Sequence, residues 1–173
     1  MEIFLLIGPR FIQMGPMPRY DPSNASVHVY TFKDGLLSAV AHDLKLAVTR
    51  FSIEHEGGVV RARFDADSLR VVTPMKDGAP SSGLLPAALY GEIEKNAREA
   101  VLDARRFPQI SYEGGELSGR LSLHGTTRQV QGVRRAQAIE FRVDVRDFDI
   151  KPFSAMLGSL KVKPEVLVSV AVG

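Results

Sequence analysis

The 173-residue chain has no cysteine. Disulfides, thiolate nucleophiles and cysteine-ligated metal sites are therefore excluded. No apolar run approaches the ~18 residues that a transmembrane helix needs. Charge of either sign is scarce in excess: 22 basic and 20 acidic side chains leave a net charge of +2. The sequence pI of about 9.0 rests on that small difference. The pairs Arg105–Arg106 and Arg134–Arg135 are not the clustered basic face that nucleic-acid binding requires, so no nucleic-acid partner is expected. There is no H-x-H, no H-x-x-x-H, no G-x-S-x-G, no phosphate-binding glycine loop and no dinucleotide fingerprint. No metal and no cofactor is expected, and only distant histidines converging in space would make a metal site.

What is present is an ordinary globular composition, 45% hydrophobic and 24% charged, of a length suited to one domain. The first residues, MEIFLLIGPRFIQMGP, stand apart. Their apolar run, Ile3 to Ile7, is shorter than the ~7–15 residues of a signal-peptide core, Glu2 sits where a positive charge belongs, and no A-x-A site follows. Residues 1–19 read as an N-terminal extension and 20–173 as the domain. Met17 is a candidate natural start, with a short N-terminal strand or docking segment as the rival reading. The lack of an export signal points to the cytoplasm.

Period-2 alternation dominates the rest and marks half-buried strands. Val166, Val168, Val170 and Val172 oppose Leu167, Ser169 and Ala171. Phe141, Val143 and Val145 alternate with Glu140, Arg142 and Asp144. Leu117, Gly119, Leu121 and Leu123 form another such face, as do Val60, Ala62 and Phe64, and Val27, Val29 and Thr31. A longer strand from about Leu44 to Glu56 changes apolar phase between Val48 and Phe51, as a β-bulge or sharp bend would produce. Glu56-Gly57-Gly58 and Glu113-Gly114-Gly115 are hairpin signals, and His124-Gly125-Thr126-Thr127 is a third tight connection.

One segment departs from this pattern. Leu89, Ile93, Ala97, Ala100 and Val101 make an apolar stripe at helical spacing, predicting a helix over about 86–106 that Phe107-Pro108 stops. A loop, Thr73 to Pro86, precedes it. The chain thus reads as mostly β with one helix. A sheet of about eight antiparallel strands closing into a barrel would bury the alternating faces.

Four stretches resemble the YceI-like family of polyisoprenoid-binding proteins, over a region from about Tyr20 to the C-terminus. HDLKLAVTRF (42–51) looks like the family's first long strand. VLDARRFPQISY (101–112) is similar to its aspartate-then-Phe/Tyr-Pro element. LSGRLSLHGTTRQV (117–130) is similar to its G-x-L-x-x-H-G-x-T-x-x-V hairpin and is the most specific match. RVDVRDFDIKP (142–152) resembles its Arg-x-Asp-Phe-Gly-Ile signature, with Asp149 at the glycine position. The family's usual Arg-Asp pair is missing between Ser68 and Leu89. The resemblance implies a lipocalin-like barrel with an elongated apolar cavity, an isoprenoid or lipid-like ligand in some members, and no shared enzyme activity.

The residues offer few catalytic candidates. His42 and Asp43 are adjacent, and adjacent strand residues face opposite ways. A histidine anchoring the loop Gly35 to Ala41 is the plainer reading of His42, with a polar contact to a ligand as its functional alternative. His124, at a hairpin, is expected to bond backbone groups, and His28 and His55 to face solvent. Asp147 and Asp149 at i and i+2 would share a strand face as an acid/base pair, or cap a strand end. The candidate cavity lining is Leu46, Val48, Phe64, Leu121, Leu123, Phe141, Val143 and Val145. Gly119 and Ala62 on that face either leave room for a ligand or mark corners. Non-enzymatic binding of an apolar long-chain molecule is the leading expectation. A filled barrel acting through its surface is the alternative, by homodimerising or by docking a protein at the loop Thr73 to Pro86 or at Met156-Leu157-Gly158. A histidine-dependent hydrolase or isomerase ranks third.

Overall fold

The computed structural model describes residues 18–34, 42–158 and 160–173. The N-terminal stretch with Met1 and Met17, and the loop Gly35 to Ala41, lie outside the described residues.

Each alternating segment forms a strand. The chain runs through β1 (Arg19–Tyr20), β2 (Ala25–Thr31), β3 (Asp43–Val48), β4 (Phe51–Glu56), β5 (Val59–Asp65), β6 (Leu69–Lys76) and β7 (Ala79–Pro80). After a helical segment come β8 (Gln109–Gly114), β9 (Ser118–Leu123), β10 (Thr126–Arg135), β11 (Ala138–Asp144), β12 (Ser154–Ala155), β13 (Leu160–Lys161) and β14 (Glu165–Val172). Twelve strands form one antiparallel sheet in the order β1-β4-β5-β8-β9-β10-β11-β14-β2-β3-β6-β7, and β12 with β13 makes a separate ribbon.

A closed barrel of about eight strands is therefore not what forms. The sheet has two ends, the short strands β1 and β7, and no hydrogen-bonded pair joins them. The reason lies in the phase change between Val48 and Phe51. The segment from Asp43 to Glu56 bends at Thr49–Arg50, and its partner from Val59 to Lys76 bends at the 3-10 turn Ala66–Ser68. One half of this long ribbon, β4–β5, therefore lies at one end of the sheet order, and the other half, β3–β6, at the opposite end. The two ends are linked through the chain and not by a ladder. Ser68 pins the bend. Its fully buried hydroxyl donates to the Asp65 carbonyl at 2.8 Å and accepts from the Arg50 amide at 3.1 Å, while its own carbonyl accepts from the amide and the hydroxyl of Thr49.

A second bend lies in β10. Its first half, Thr126–Gln131, pairs with β9, and its second, Gly132–Arg135, pairs with β11. The first half of β10 and the end of β11 therefore splay. The 3-10 turn Val145–Phe148 fills the gap, burying Phe148 and Ile150 against Leu123 and Val143. The turn begins at Asp144, whose carboxylate accepts from the Arg146 amide, and ends at Asp149 in the left-handed conformation (φ 58°). Asp147 and Asp149 thus do not share a strand face as an acid/base pair. They lie in a turn, and Asp149 accepts a hydrogen bond from the Thr126 hydroxyl at 2.9 Å.

The helical segment is shorter than 86–106. It comprises a 3-10 turn (Ala87–Leu89), helix α1 (Tyr90–Asn96) and a π turn (Ala97–Val101). It ends before Phe107-Pro108, because Asp103 turns left-handed (φ 44°). The part of Thr73 to Pro86 read as loop includes the end of β6 and all of β7, joined by an Asp77-Gly78 turn with both residues at positive φ.

A cavity lined by the inner face of the sheet

Inward side chains from both sides of the bends meet around one apolar cavity of about 730 Å3. That lies within the ~300–1,000 Å3 usual for small-molecule sites. Strand β14 alone contributes Val166, Val168, Val170 and Val172. At ~3.3 Å per residue, the cavity extends roughly 20 Å along that strand. The 3-10 turn, α1 and the π turn cover one flank with Leu89, Ile93, Ala97 and Val101.

Leu46, Val48, Phe64, Leu121, Leu123, Phe141, Val143 and Val145 are all brought together in this lining, with His42 among them. Many inward residues remain only partly buried, Phe64, Leu121, Phe141 and Val168 among them. Two small clusters are buried: Val27, Ile53, Ala62 and Tyr112 in one, Leu123, Val143, Phe148 and Ile150 in the other. The inward residues between them pack against these clusters on one side and border open space on the other.

Ala62 lines the cavity. Gly119 does not supply room for a ligand, since a Cβ there would lie 2.6 Å from the Tyr112 ring. That ring crosses the strand to cover Gly119, and its hydroxyl donates to the Gly115 carbonyl at 2.5 Å. Burial raises the Tyr112 pKa above the ordinary tyrosine value, so the hydroxyl stays protonated as a donor.

The polar lining is sparse and divides between the two ends of the strands. At one end are His42, Glu92 and Lys163, and at the other His55, Glu116 and Arg134, the last two paired with each other. His55 faces the cavity and not solvent, because the bend at Thr49–Arg50 resets the phase so that Phe51, Ile53 and His55 share a face. His42 and Asp43 stay apart: His42 borders the cavity while the Asp43 carboxylate accepts from the Lys33 amide at 2.8 Å. Any contact of His42 with the loop Gly35 to Ala41 lies outside the described residues.

His28 is half-buried, and desolvation, aided by Lys45, lowers its pKa below the ordinary histidine value. His124 does not use its ring on backbone groups as expected. It stacks on Phe107 with centroids 4.4 Å apart, and its buried Nδ1 has no hydrogen-bond partner among the described residues. Among the described residues no three His, Asp or Glu side chains converge as metal ligands, and no helix is long and apolar enough to cross a membrane.

Among the lining residues that sequence reasoning missed are Tyr112, the valines of β14, and the polar His55, Glu116, Arg134 and Lys163. Alternation signalled the valines, but in β14 the opposing face is also largely apolar, so the pattern did not say which face looks inward.

No family model and no curated protein matches the chain. Solved structures share its fold, among them the following two. One is a polyisoprenoid-binding domain from Saccharophagus degradans implicated in plant cell wall breakdown, with a TM-score of 0.55 and 12% identity over 90% of this chain and 95% of that one. The other is BcnA from Burkholderia cenocepacia, with a TM-score of 0.51 and 14% identity over 88% of this chain and 99% of that one. The likeness in fold agrees with the resemblance of the four sequence stretches to the YceI-like family.

Proposed function

We propose that this chain binds an apolar long-chain molecule of the isoprenoid or lipid-like class inside its sheet-lined cavity, and carries it without chemistry. The observation that carries the reading is the elongated apolar cavity whose inward side chains are only partly buried. The name of the polyisoprenoid-binding neighbour and the motif resemblance favour the same ligand class. His42 and Lys163 at one end suit a polar head group, leaving the chain among the valines of β14. A solid scaffold acting only through its surface is disfavoured by the open interior. A hydrolase is disfavoured by His42 and Asp43 facing apart.

Chain length provides the test. Burial contributes about 0.8 kcal/mol per methylene, roughly a fourfold gain in affinity each. A bound fluorescent apolar probe should be displaced by linear alcohols or isoprenoids with affinity rising steadily with length, then levelling once the chain outgrows the cavity. Affinity independent of length would sink the proposal. Unchanged binding and cellular behaviour after His42→Ala and His124→Ala is expected if the protein is a carrier, apart from weakened head-group affinity in the His42 variant.

A further inference from the structure

The β12–β13 ribbon ends in a tip made of Met156, Leu157 and Gly158. Met156 is 64% exposed and Leu157 108%, and all three residues have positive φ, at 53°, 55° and 86°. Two consecutive non-glycine residues held left-handed, with large apolar side chains aimed at water, form a costly arrangement within the chain alone. The tip adjoins the cavity: Phe153, Ala155, Met156, Leu160 and Val162 on and beside the ribbon all line it.

The surrounding charge is positive. Lys151 precedes the ribbon, Lys161 and Lys163 follow the tip, and Lys33 lies alongside, bridged to Val162. None of the four forms an ion pair among the described residues. Of the carboxylates nearby, Asp34 and Asp43 lie on the adjoining segment, Glu92 lines the cavity at the same end and Glu165 is paired with Arg142, so the four lysines leave a positive excess.

We propose that this tip seats the cavity mouth on an anionic lipid bilayer, with Met156 and Leu157 entering the acyl boundary and the lysines facing the head groups. A protein interface is the weaker match. It needs about 800 Å2 per partner with complementary shape, whereas two protruding side chains offer a point of insertion. A bilayer accepts such a point without a matching surface, and a basic rim strengthens the contact. For the proposed carrier function, this contact would let cargo pass between membrane and cavity without crossing water.

The test is co-flotation of the full chain with vesicles of about 3:1 phosphatidylcholine to phosphatidylglycerol. The wild type should bind. Met156→Ser with Leu157→Ser should reduce binding at least ~tenfold, Lys161→Glu with Lys163→Glu by a similar factor, and about 0.5 M salt should release most of the protein. Thermal melting of each variant guards against a misfolded control. Failure of the wild type to bind overturns the proposal, as does binding that survives the tip substitutions. A tip variant that loses self-association by light scattering while keeping vesicle binding would also overturn it, assigning the tip to a second copy. The vesicles hold no cargo, so this result is independent of the carrier reading: vesicle binding by a protein that takes up no apolar probe would keep the tip and discard the carrier.

Discussion

The Ser68 hydroxyl holds the bend from within. It is wholly buried and joins both sides of the bend that sends β3–β6 and β4–β5 to opposite ends of the sheet. Ser68→Ala leaves the Arg50 amide short of an acceptor and should cost about 1–3 kcal/mol in urea denaturation. Asp149 supplies a second residue-scale case. It adopts a conformation natural to glycine, the residue at this position of the resembled signature, and anchors Thr126. Asp149→Ala loses the anchor and keeps the strain, so it should destabilise by about 1–2 kcal/mol, whereas Asp149→Gly exchanges anchor for relief and should cost under about 0.5 kcal/mol. His28 sets a pH dependence. Its folded pKa lies below the 6.5 of a free histidine, so the unfolded chain binds the proton more tightly. Its contribution is present above about 6.5 and is lost as pH falls from there through the folded pKa. Melting temperatures between about pH 7.5 and 5.5 should slope downward on acidification, and His28→Gln should flatten the slope. The lowered pKa values of Asp65 and Asp144, held by Arg50 and Arg146, act in a separate window, with loss beginning only as pH falls below about 3.8. The environments of Ser68, Asp149 and His28 were not legible in the sequence, because each depends on partners from distant segments. Only the unusual Asp149 was visible, through the motif it interrupts.

At the scale of elements, the turns were the most legible feature. Gly57 and Gly58 adopt positive φ, as a two-residue hairpin needs, and Gly114 faces Gly119 across the β8–β9 hairpin. A Cβ on Gly114 would lie 2.3 Å from the Gly119 Cα, backbone that cannot swing aside. Gly114→Ala should therefore destabilise by about 1–3 kcal/mol and raise amide exchange first in β8 and β9. The turn Val145–Phe148 was not legible. Val145 continues the apolar alternation of β11, so the sequence pattern runs on past the point where the strand stops at Asp144. Only the splay between β10 and β11 gives Phe148 somewhere to go. Phe148→Ala, at a residue 1% exposed, should cost about 3–5 kcal/mol. The helix was recognised by its stripe, yet Asp103, and not the later proline, ends it, because a left-handed residue needs no proline to break the pattern.

For the whole molecule, alternation identified the strands but not how the sheet ends. Closure depends on strand tilt and stagger, which no single segment encodes. The phase change after Val48 was the one local trace of the bend, and it also turned His55 inward against expectation. Whether the inner face was packed or hollow was equally hidden, since a valine bordering space and a valine in a core are the same letter. A hollow interior has a thermodynamic consequence. Ligand at ~100 times its Kd adds about 2.7 kcal/mol to stability, so protein stripped of ligand by organic solvent and refolded should melt lower than protein as purified. A bulky substitution at the partly buried Leu121, such as Leu121→Trp, should abolish that difference by occupying the cavity. The most direct measurement is mass spectrometry of an organic extract of the freshly purified protein. A stoichiometric isoprenoid or other lipid-like chain, absent from the Leu121→Trp extract, is the expected result. An empty extract from protein made in its native host would contradict the carrier account.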